Sequence, residues 1–349
     1  MRTAWGLLLV AAATSPAPAS SVPPALLRAV AAPRQVAYAG EQVVATWTGR
    51  AVRTVLVRVE YDPDGWTRLE YRPVGGSRGW VVLRRRGEQV RYDPVRRTGV
   101  RTAAPLLADE DEVEGGHIGW LVENYRVEAR PVTWLGRSAT EIRLRPVHGD
   151  RPERRMIVDD GTGVVVRSER LAAGGLLGEL TALVSFDLRP RGWRAGAGPP
   201  PDLRLTAGPA VRAVTPGDAA RALGGPPAAV SVPPGFHPVG TYLADASGPV
   251  LQTVYSDGVA TLVVYQRAGR IPRPPRDSRP VRTGRGVVWV QSLGLRTLAH
   301  WAYGGRLLTA VGEVVPSSLV AAAGRSGVAA APRLWDHLLA WLSDLVRQL

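Results

Sequence analysis

Alternation of side chains with a period of two is the feature that most restricts how this chain can fold. Val55, Val57 and Val59 stand two residues apart, so they share one face of an extended strand. After an Asp64-Gly65 turn the alternation resumes at Leu69. Two alternating runs on either side of an Asp-Gly pair predict a β-hairpin.

The same pattern recurs along the first half of the chain and predicts further strands. They are expected at 80–86, 89–92, 125–130, 140–145, 156–159 and 164–170. Strands with one apolar and one charged face form an antiparallel sheet that has one solvated side.

Helices are few in this half and do not alternate with the strands. They are expected at 24–32, 118–125 and 176–184. The inventory predicts a mainly β (α+β) fold, a curved sheet packed on a few helices, and excludes a doubly wound α/β fold.

Composition divides the rest of the chain. A large domain at 24–190 is followed by a Pro/Gly-rich linker at 191–230, with one helical turn at 216–223. A small β-rich domain follows at 231–325 and an amphipathic helix at 332–349. The leucines of that helix lie on one face, and its balanced charges favour docking on protein over lying on a membrane. The strands of the small domain are expected at 240–243, 250–255, 260–266, 287–293, 296–303 and 306–312.

The first twenty residues predict export. Arg2 precedes the apolar run of residues 7–10, and Ala17-Pro18-Ala19 has the small-residue pattern of a cleavage site. We expect a cleaved signal peptide at 1–20, the alternative being an anchor that stays attached. The protein is then periplasmic or lies on the outer face of the cytoplasmic membrane. Export argues against nucleic acid as a partner, despite a formal net charge of +14.

Patterns that suggest enzyme chemistry are weak. Ser77 lies in a Gly-x-Ser-x-Gly pattern, but a strand follows it where a hydrolase needs a helix. The carboxylates of 109–112, with His117, lack the spacing that directs oxygens at one cation. The chain has no cysteine. We expect no enzyme activity, no metal site and no cofactor.

Three segments of the small domain carry a family resemblance. They are Val232-Pro233-Pro234-Gly235-Phe236, Tyr255-Ser256-Asp257-Gly258 and Val311-Gly312-Glu313-Val314. In this order they resemble the RseB/MucB family, the exported regulators of envelope-stress sigma factors of the sigma-E type.

The resemblance implies a large domain shaped like the unclosed β-barrel of the lipoprotein carriers LolA and LolB. It implies a partner, the exported domain of a membrane-spanning anti-sigma factor, which is shielded from proteolysis and released when lipid or lipoprotein is sensed. A LolA-like carrier of lipid or lipoprotein is the alternative. The oligomeric state is left open.

Two sets of site residues follow. Partner binding or domain organisation is assigned to Phe236, Tyr255, Ser256, Asp257, Gly258 and Tyr265. Asp257 and Gly258 fit a tight turn, with direct partner contact as the alternative. An apolar cavity for acyl chains is assigned to Val57, Val59, Leu69, Tyr71, Tyr92, Trp120, Ile142 and Leu144, with a filled core as the alternative.

Overall fold

The structure is a computed structural model. It describes residues 22–47, 51–63, 66–74, 79–85, 87–103, 115–149, 151–172, 175–190, 193, 198–245, 248–269, 271, 275–284 and 286–326.

Several predictions concern other residues and lie outside this description. They are the signal peptide at 1–20, the Asp64-Gly65 turn, Ser77, the acidic run 109–112 and the helix at 332–349. Within the described part of the chain, no helix has the length and apolarity that a bilayer span requires.

A twelve-stranded sheet forms the first half of the fold. Its order is β12-β6-β5-β4-β3-β2-β1-β11-β10-β9-β8-β7. The two end strands are not paired with each other, so the sheet stays open. Every pairing is antiparallel except that of β12 with β6. The strands are β1 Tyr38–Trp47, β2 Val52–Tyr61, β3 Thr67–Pro73, β4 Trp80–Arg85, β5 Glu88–Asp93, β6 Thr98–Ala103, β7 Tyr125–Trp134, β8 Arg137–Pro146, β9 Glu153–Asp159, β10 Val165–Leu171, β11 Leu177–Leu188 and β12 Arg204–Ala207.

An eight-stranded antiparallel sheet forms the second half. Its order is β13-β14-β15-β16-β20-β19-β18-β17, so β13 and β17 are its edges. The strands are β13 Ala210–Ala213, β14 His237–Asp245, β15 Pro249–Ser256, β16 Thr261–Ala268, β17 Arg279–Thr283, β18 Gly286–Leu293, β19 Arg296–Tyr303 and β20 Arg306–Gly312.

Four α-helices complete the described fold: α1 Pro24–Ala31, α2 Gly115–Asn124, α3 Pro216–Leu223 and α4 Pro316–Ser326. α1 and α2 cover one end of the large sheet, and α4 packs on β17, β18 and β19. The predicted turn at 216–223 is α3, which begins with a capping box between Thr215 and Asp218.

The helix expected at 176–184 is wrong. This segment belongs to β11, which pairs with β1 on one side and β10 on the other. Its leucines fit a helical period equally well, but two neighbouring strands supply ladder partners that local periodicity does not reveal. The sequence analysis also missed α4, β1, β6, β12, β13 and β17.

The segment between the sheets contains regular structure. β12 extends the large sheet and β13 extends the second one, with only Gly208 and Pro209 between them. Leu203 and Leu205 pack against a cluster on β4 and β5 that includes Leu83 and Val90. The burial of these leucines explains why the chain is held here despite its many prolines and glycines.

Candidate functional site

The seven strand residues assigned to an apolar cavity share a face of the large sheet, with one exception, whereas Trp120 belongs to α2. Val59 lies directly opposite Leu69, and Val57 directly opposite Tyr71. Opposed residues of an antiparallel pair project to the same side. Val57, Val59 and Leu69 are buried, and Tyr71 is half-buried beside them.

Tyr92 is the exception, and its assignment to this face is corrected. Val82 lies opposite Leu69, whereas Tyr92 lies opposite Val81, which immediately precedes Val82 in β4. A shift of one residue reverses the side of the sheet. Tyr92 therefore packs on the other face, where its hydroxyl accepts a hydrogen bond from Arg68 at 3.0 Å.

At the other end of the sheet the face is covered. Ile142 and Leu144 are buried in a core with Leu26 of α1 and Leu121 of α2. Trp120 stacks on His237 of the second sheet, with ring centroids 4.7 Å apart. For Ile142 and Leu144 the filled-core alternative holds.

On strands β1–β4, the same face of the large sheet carries aromatic side chains. Tyr38 stacks on Tyr61 at 5.3 Å, and Tyr71 on Trp80 at 4.9 Å. The guanidinium of Arg91 lies 5.2 Å from the centre of the Trp80 ring. Burial lowers the pKa of Arg91, as expected for a cation held against apolar side chains.

A cavity of about 230 Å³ lies elsewhere, between β7 and β8. It is lined by Glu128, Ala129, Arg130, Glu141 and Arg143. Glu141 and Arg143 flank Ile142 in sequence and therefore project from the opposite face. None of the residues assigned to the acyl-chain cavity lines it.

Asp257 is the centre of a buried junction between the two sheets. Its side chain is fully buried, in the turn between β15 and β16. One carboxylate oxygen accepts the Tyr125 hydroxyl at 2.9 Å and lies 3.1 Å from a nitrogen of Arg151. The other accepts the backbone N–H groups of Val259 at 2.9 Å and Ala260 at 2.6 Å.

Asn124 and Arg151 extend this junction to the start of the second sheet. The Asn124 amide donates to the Gly235 and Asp257 carbonyls, each at 3.2 Å. Arg151 donates to Asn124 Oδ1 at 3.2 Å and to the Pro234 carbonyl, and it lies over the ring of Phe236.

The structure requires glycine at position 235. Its φ is +80°, a conformation that favours glycine. A Cβ here would lie 1.8 Å from Asn124 Oδ1. The Pro-Pro-Gly-Phe segment therefore allows close approach of the two sheets.

Burial controls the ionisation of the junction. It raises the pKa of the Asp257 carboxyl, while Arg151 and the N–H donors act in the opposite direction. Burial also raises the pKa of the Tyr125 hydroxyl well above its usual value, and the Asp257 carboxylate adds to this effect. The hydroxyl thus stays protonated and donates to the carboxylate.

The remaining residues of the partner-binding set do not form one surface. Gly258 has φ +97°, so the Asp-Gly turn predicted for this segment is confirmed. Ser256 is buried and accepts the Gly258 N–H at 3.1 Å. Tyr255 and Tyr265 pack in different clusters on opposite faces of the second sheet. Partner contact by these residues stays a prediction.

A second contact between the two sheets involves Glu313, in the Val311-Gly312-Glu313-Val314 segment. Glu313 accepts a hydrogen bond from Arg170 of β10 at 2.5 Å, and both residues are largely buried. Arg170 also lies 3.3 Å from Glu179 of β11. Two of the segments that carry the family resemblance, those around Asp257 and Glu313, thus both reach the large sheet.

Sequence reasoning missed the partners of these carboxylates on the large sheet: Asn124, Tyr125, Arg151 and Arg170. Arg151 and Arg170 look like ordinary members of an arginine-rich chain, and Tyr125 like a strand residue. The one available signal was that Asp257 and Glu313 lie in apolar segments, where a carboxylate needs a partner.

Comparison with known proteins shows the fold. No protein-family model and no curated protein sequence matches the chain. The complex of Pseudomonas aeruginosa MucA/MucB matches with a TM-score of 0.54 at 18% identity, over 89% of this chain and 98% of that chain. A structure of MucB in complex with MucA(peri) matches with a TM-score of 0.53, at the same identity and coverage. The RseB/MucB-like fold expected from the sequence is confirmed.

Proposed function

From the MucB-like fold we propose that this chain is an exported regulator of an extracytoplasmic-stress sigma factor. It binds the exported domain of a membrane-spanning anti-sigma factor and shields that domain from the protease that begins its degradation. The observation that supports the proposal is the extent of the structural match, which covers 89% of this chain and therefore includes both sheets.

The contacts between the sheets support a binding role. The Asp257–Arg151 pair and the Glu313–Arg170 pair are both buried and link distant parts of the chain. Breaking a buried pair by removing one partner is strongly destabilising, so such pairs keep the two sheets in one arrangement. A partner that contacts both sheets then meets a preorganised surface and loses less free energy in ordering it.

Protection of the partner tests this proposal. The exported segment of a single-span anti-sigma factor from the same organism is incubated with its protease, with and without the purified chain lacking residues 1–20. We expect saturating protein to slow cleavage at least tenfold. Asp257→Asn removes the buried charge opposite Arg151 and is expected to reduce both capture in a pull-down and protection.

Asp245→Asn is the matched control. Asp245 lies at the exposed end of β14 in the same sheet, so this variant makes the same chemical change away from the junction. We expect full protection. Circular dichroism of both variants separates loss of capture from unfolding. Equal cleavage with and without the wild-type chain contradicts the regulatory role.

A LolA-like carrier of lipid or lipoprotein is the second candidate, and Arg91 favours it. This arginine is half-buried among Trp80 and Tyr71, and no ion pair with a carboxylate is found for it among the described residues. An apolar face with one desolvated cation suits an acyl chain that has an anionic head.

Binding of a fluorescent fatty acid tests the carrier. Arg91→Gln is expected to weaken binding about tenfold, the scale of one hydrogen bond to a charged group. Arg126→Gln, on the exposed edge strand β7, is the control with the same loss of charge. Leu69→Arg places a charge on the same face and is expected to abolish binding. Absence of binding at tens of micromolar contradicts the carrier.

A further inference from the structure

Arginine recurs at every third position from 267 to 285, giving seven arginines in nineteen residues. Asp277 is the one carboxylate among them. Over residues 261–326 the chain has ten arginines and two carboxylates. This stretch therefore carries a charge of +8 out of +14 for the whole chain, in less than a fifth of its length.

Three described arginines of this series lie at the edge of the second sheet, whereas Arg267 lies on the interior strand β16. Arg279 and Arg282 belong to β17, which pairs with β18 alone, and Arg276 precedes the strand. All three are exposed. Among the described residues, no ion pair involves any of them, although Asp277 is adjacent in sequence and exposed.

Several arginines of the large sheet are in a different situation, because they surround a shared carboxylate. On its charged face, Glu141 lies 2.9 Å from Arg130, 3.7 Å from Arg143 and 3.8 Å from Arg155. Such mutual neutralisation leaves little field beyond the surface. At β17 the positive charges add instead.

The elements around β17 supply no compensating carboxylate. The sequences of β18 and α4, which pack against it, contain no Asp or Glu. Glu313, the other carboxylate of the stretch, points toward Arg170 of the large sheet and is largely buried. Among the residues that the structure describes, the arginines at this edge thus have no carboxylate partner.

We propose that Arg276, Arg279 and Arg282 form a contact surface for an anionic lipid bilayer. The edge is poorly suited to a peptide. Pro280 removes one N–H donor from the strand, which an added strand would need. Val281 packs toward the core, and Thr283 lies against Gly324 of α4. The side chains of Val281 and Thr283 are therefore already in contact with the described fold and are less available to a peptide.

A plane of anionic head groups needs none of these features. It needs exposed cations, and each one within a few ångströms of the surface increases partitioning roughly fivefold at low salt. Arg279 and Arg282 are three residues apart on β17 and project to opposite sides of the strand. The three cations together therefore give at most about a hundredfold, which is weak alone. It becomes useful when the protein is already held near the membrane, and this setting rests on the proposed partner being membrane-spanning.

Vesicle sedimentation with the purified chain lacking residues 1–20 and no partner tests the surface directly. We expect binding to phosphatidylcholine vesicles that contain 30% phosphatidylglycerol, no binding to phosphatidylcholine alone, and loss of binding in about 0.5 M salt, where charges are screened within a few ångströms. Arg276→Gln/Arg279→Gln/Arg282→Gln is expected to reduce partitioning by up to about a hundredfold.

The control is Arg53→Gln/Arg126→Gln/Arg204→Gln. These arginines are also exposed and lie on separate strands of the large sheet, so the variant has the same net charge. We expect it to bind nearly as wild type. Equal loss in both variants overturns the proposal in favour of net charge. If the chain captures soluble polyglutamate but does not bind vesicles, the proposal is overturned and the ligand of this surface is an acidic peptide. Binding to neither means that the arginines only protect an edge strand.

This test is independent of the proposed function. Vesicle binding can fail while the chain still protects its partner, in which case the regulatory role stands and the membrane surface is wrong. Protection can fail while vesicle binding persists. In that case the membrane surface stands, and the chain is an exported protein of this fold that has another function.

Discussion

Asp257 shows how a motif residue can be important without being exposed. Four donors surround its carboxylate, two from its own turn and two from the large sheet. A partner cannot contact a side chain that is fully buried in the folded chain. We therefore expect substitutions here to act through the arrangement of the two sheets.

Tyr125 gives a prediction at the residue scale. Its pKa is raised in the folded chain, so above about pH 10 the unfolded chain releases the phenol proton before the folded chain does. Stability is therefore lost as the pH rises through this range. Tyr125→Phe removes the effect, and its stability deficit relative to wild type should shrink between pH 9 and 11.

Urea unfolding at pH 8, 9, 10 and 11 measures this difference. At pH 8 we expect Tyr125→Phe to be less stable by about 1–2 kcal/mol, because one donor to a buried carboxylate is lost. Tyr303→Phe, at an exposed tyrosine, is the control. A deficit of constant size at all four pH values contradicts the assignment.

At the scale of elements, α3 is held at both ends. Its N-terminus has the Thr215–Asp218 capping box, and its C-terminal carbonyls are satisfied by Arg306 of β20. The guanidinium donates to Leu223 at 3.1 Å, Gly225 at 2.7 Å and Pro226 at 3.1 Å. The proline-rich segment is thus fixed to the second sheet.

Arg306→Met leaves these carbonyls without their donor. We expect the free energy of unfolding to fall by about 2–3 kcal/mol, the scale of burying polar groups without partners. Arg221→Met on α3 itself is the control, since Arg221 forms an exposed pair with Asp218 that contributes little. Equal effects of the two substitutions would show that Arg306 acts through its charge alone.

At the scale of the molecule, we expect the two buried ion pairs to make the two sheets unfold cooperatively. Arg151→Met/Arg170→Met removes the cation from both pairs, and we expect calorimetry to resolve two transitions where the wild type shows one. Arg130→Met/Arg145→Met, at two exposed arginines of the large sheet, should keep one transition. A single transition in both variants would mean that apolar contacts alone couple the sheets.

The sequence by itself determined much of the β architecture. The period of two at Val55, Val57 and Val59 specifies a strand with one apolar face, because side chains alternate whatever the strand pairs with. Pro216 and the residues around it specify α3 for a similarly local reason. The family resemblance added the RseB/MucB-like fold, which the structural match confirms.

Only the tertiary structure decided which residues meet. Asp257 is 106 residues from Arg151, and Glu313 is 143 residues from Arg170, so no local pattern connects them. The tertiary structure also decided that Tyr92 lies on the face opposite the apolar one and that residues 177–188 form a strand. In each case the outcome depends on a neighbouring strand and its register, and a pairing partner is a property of the folded chain that periodicity along one segment does not contain.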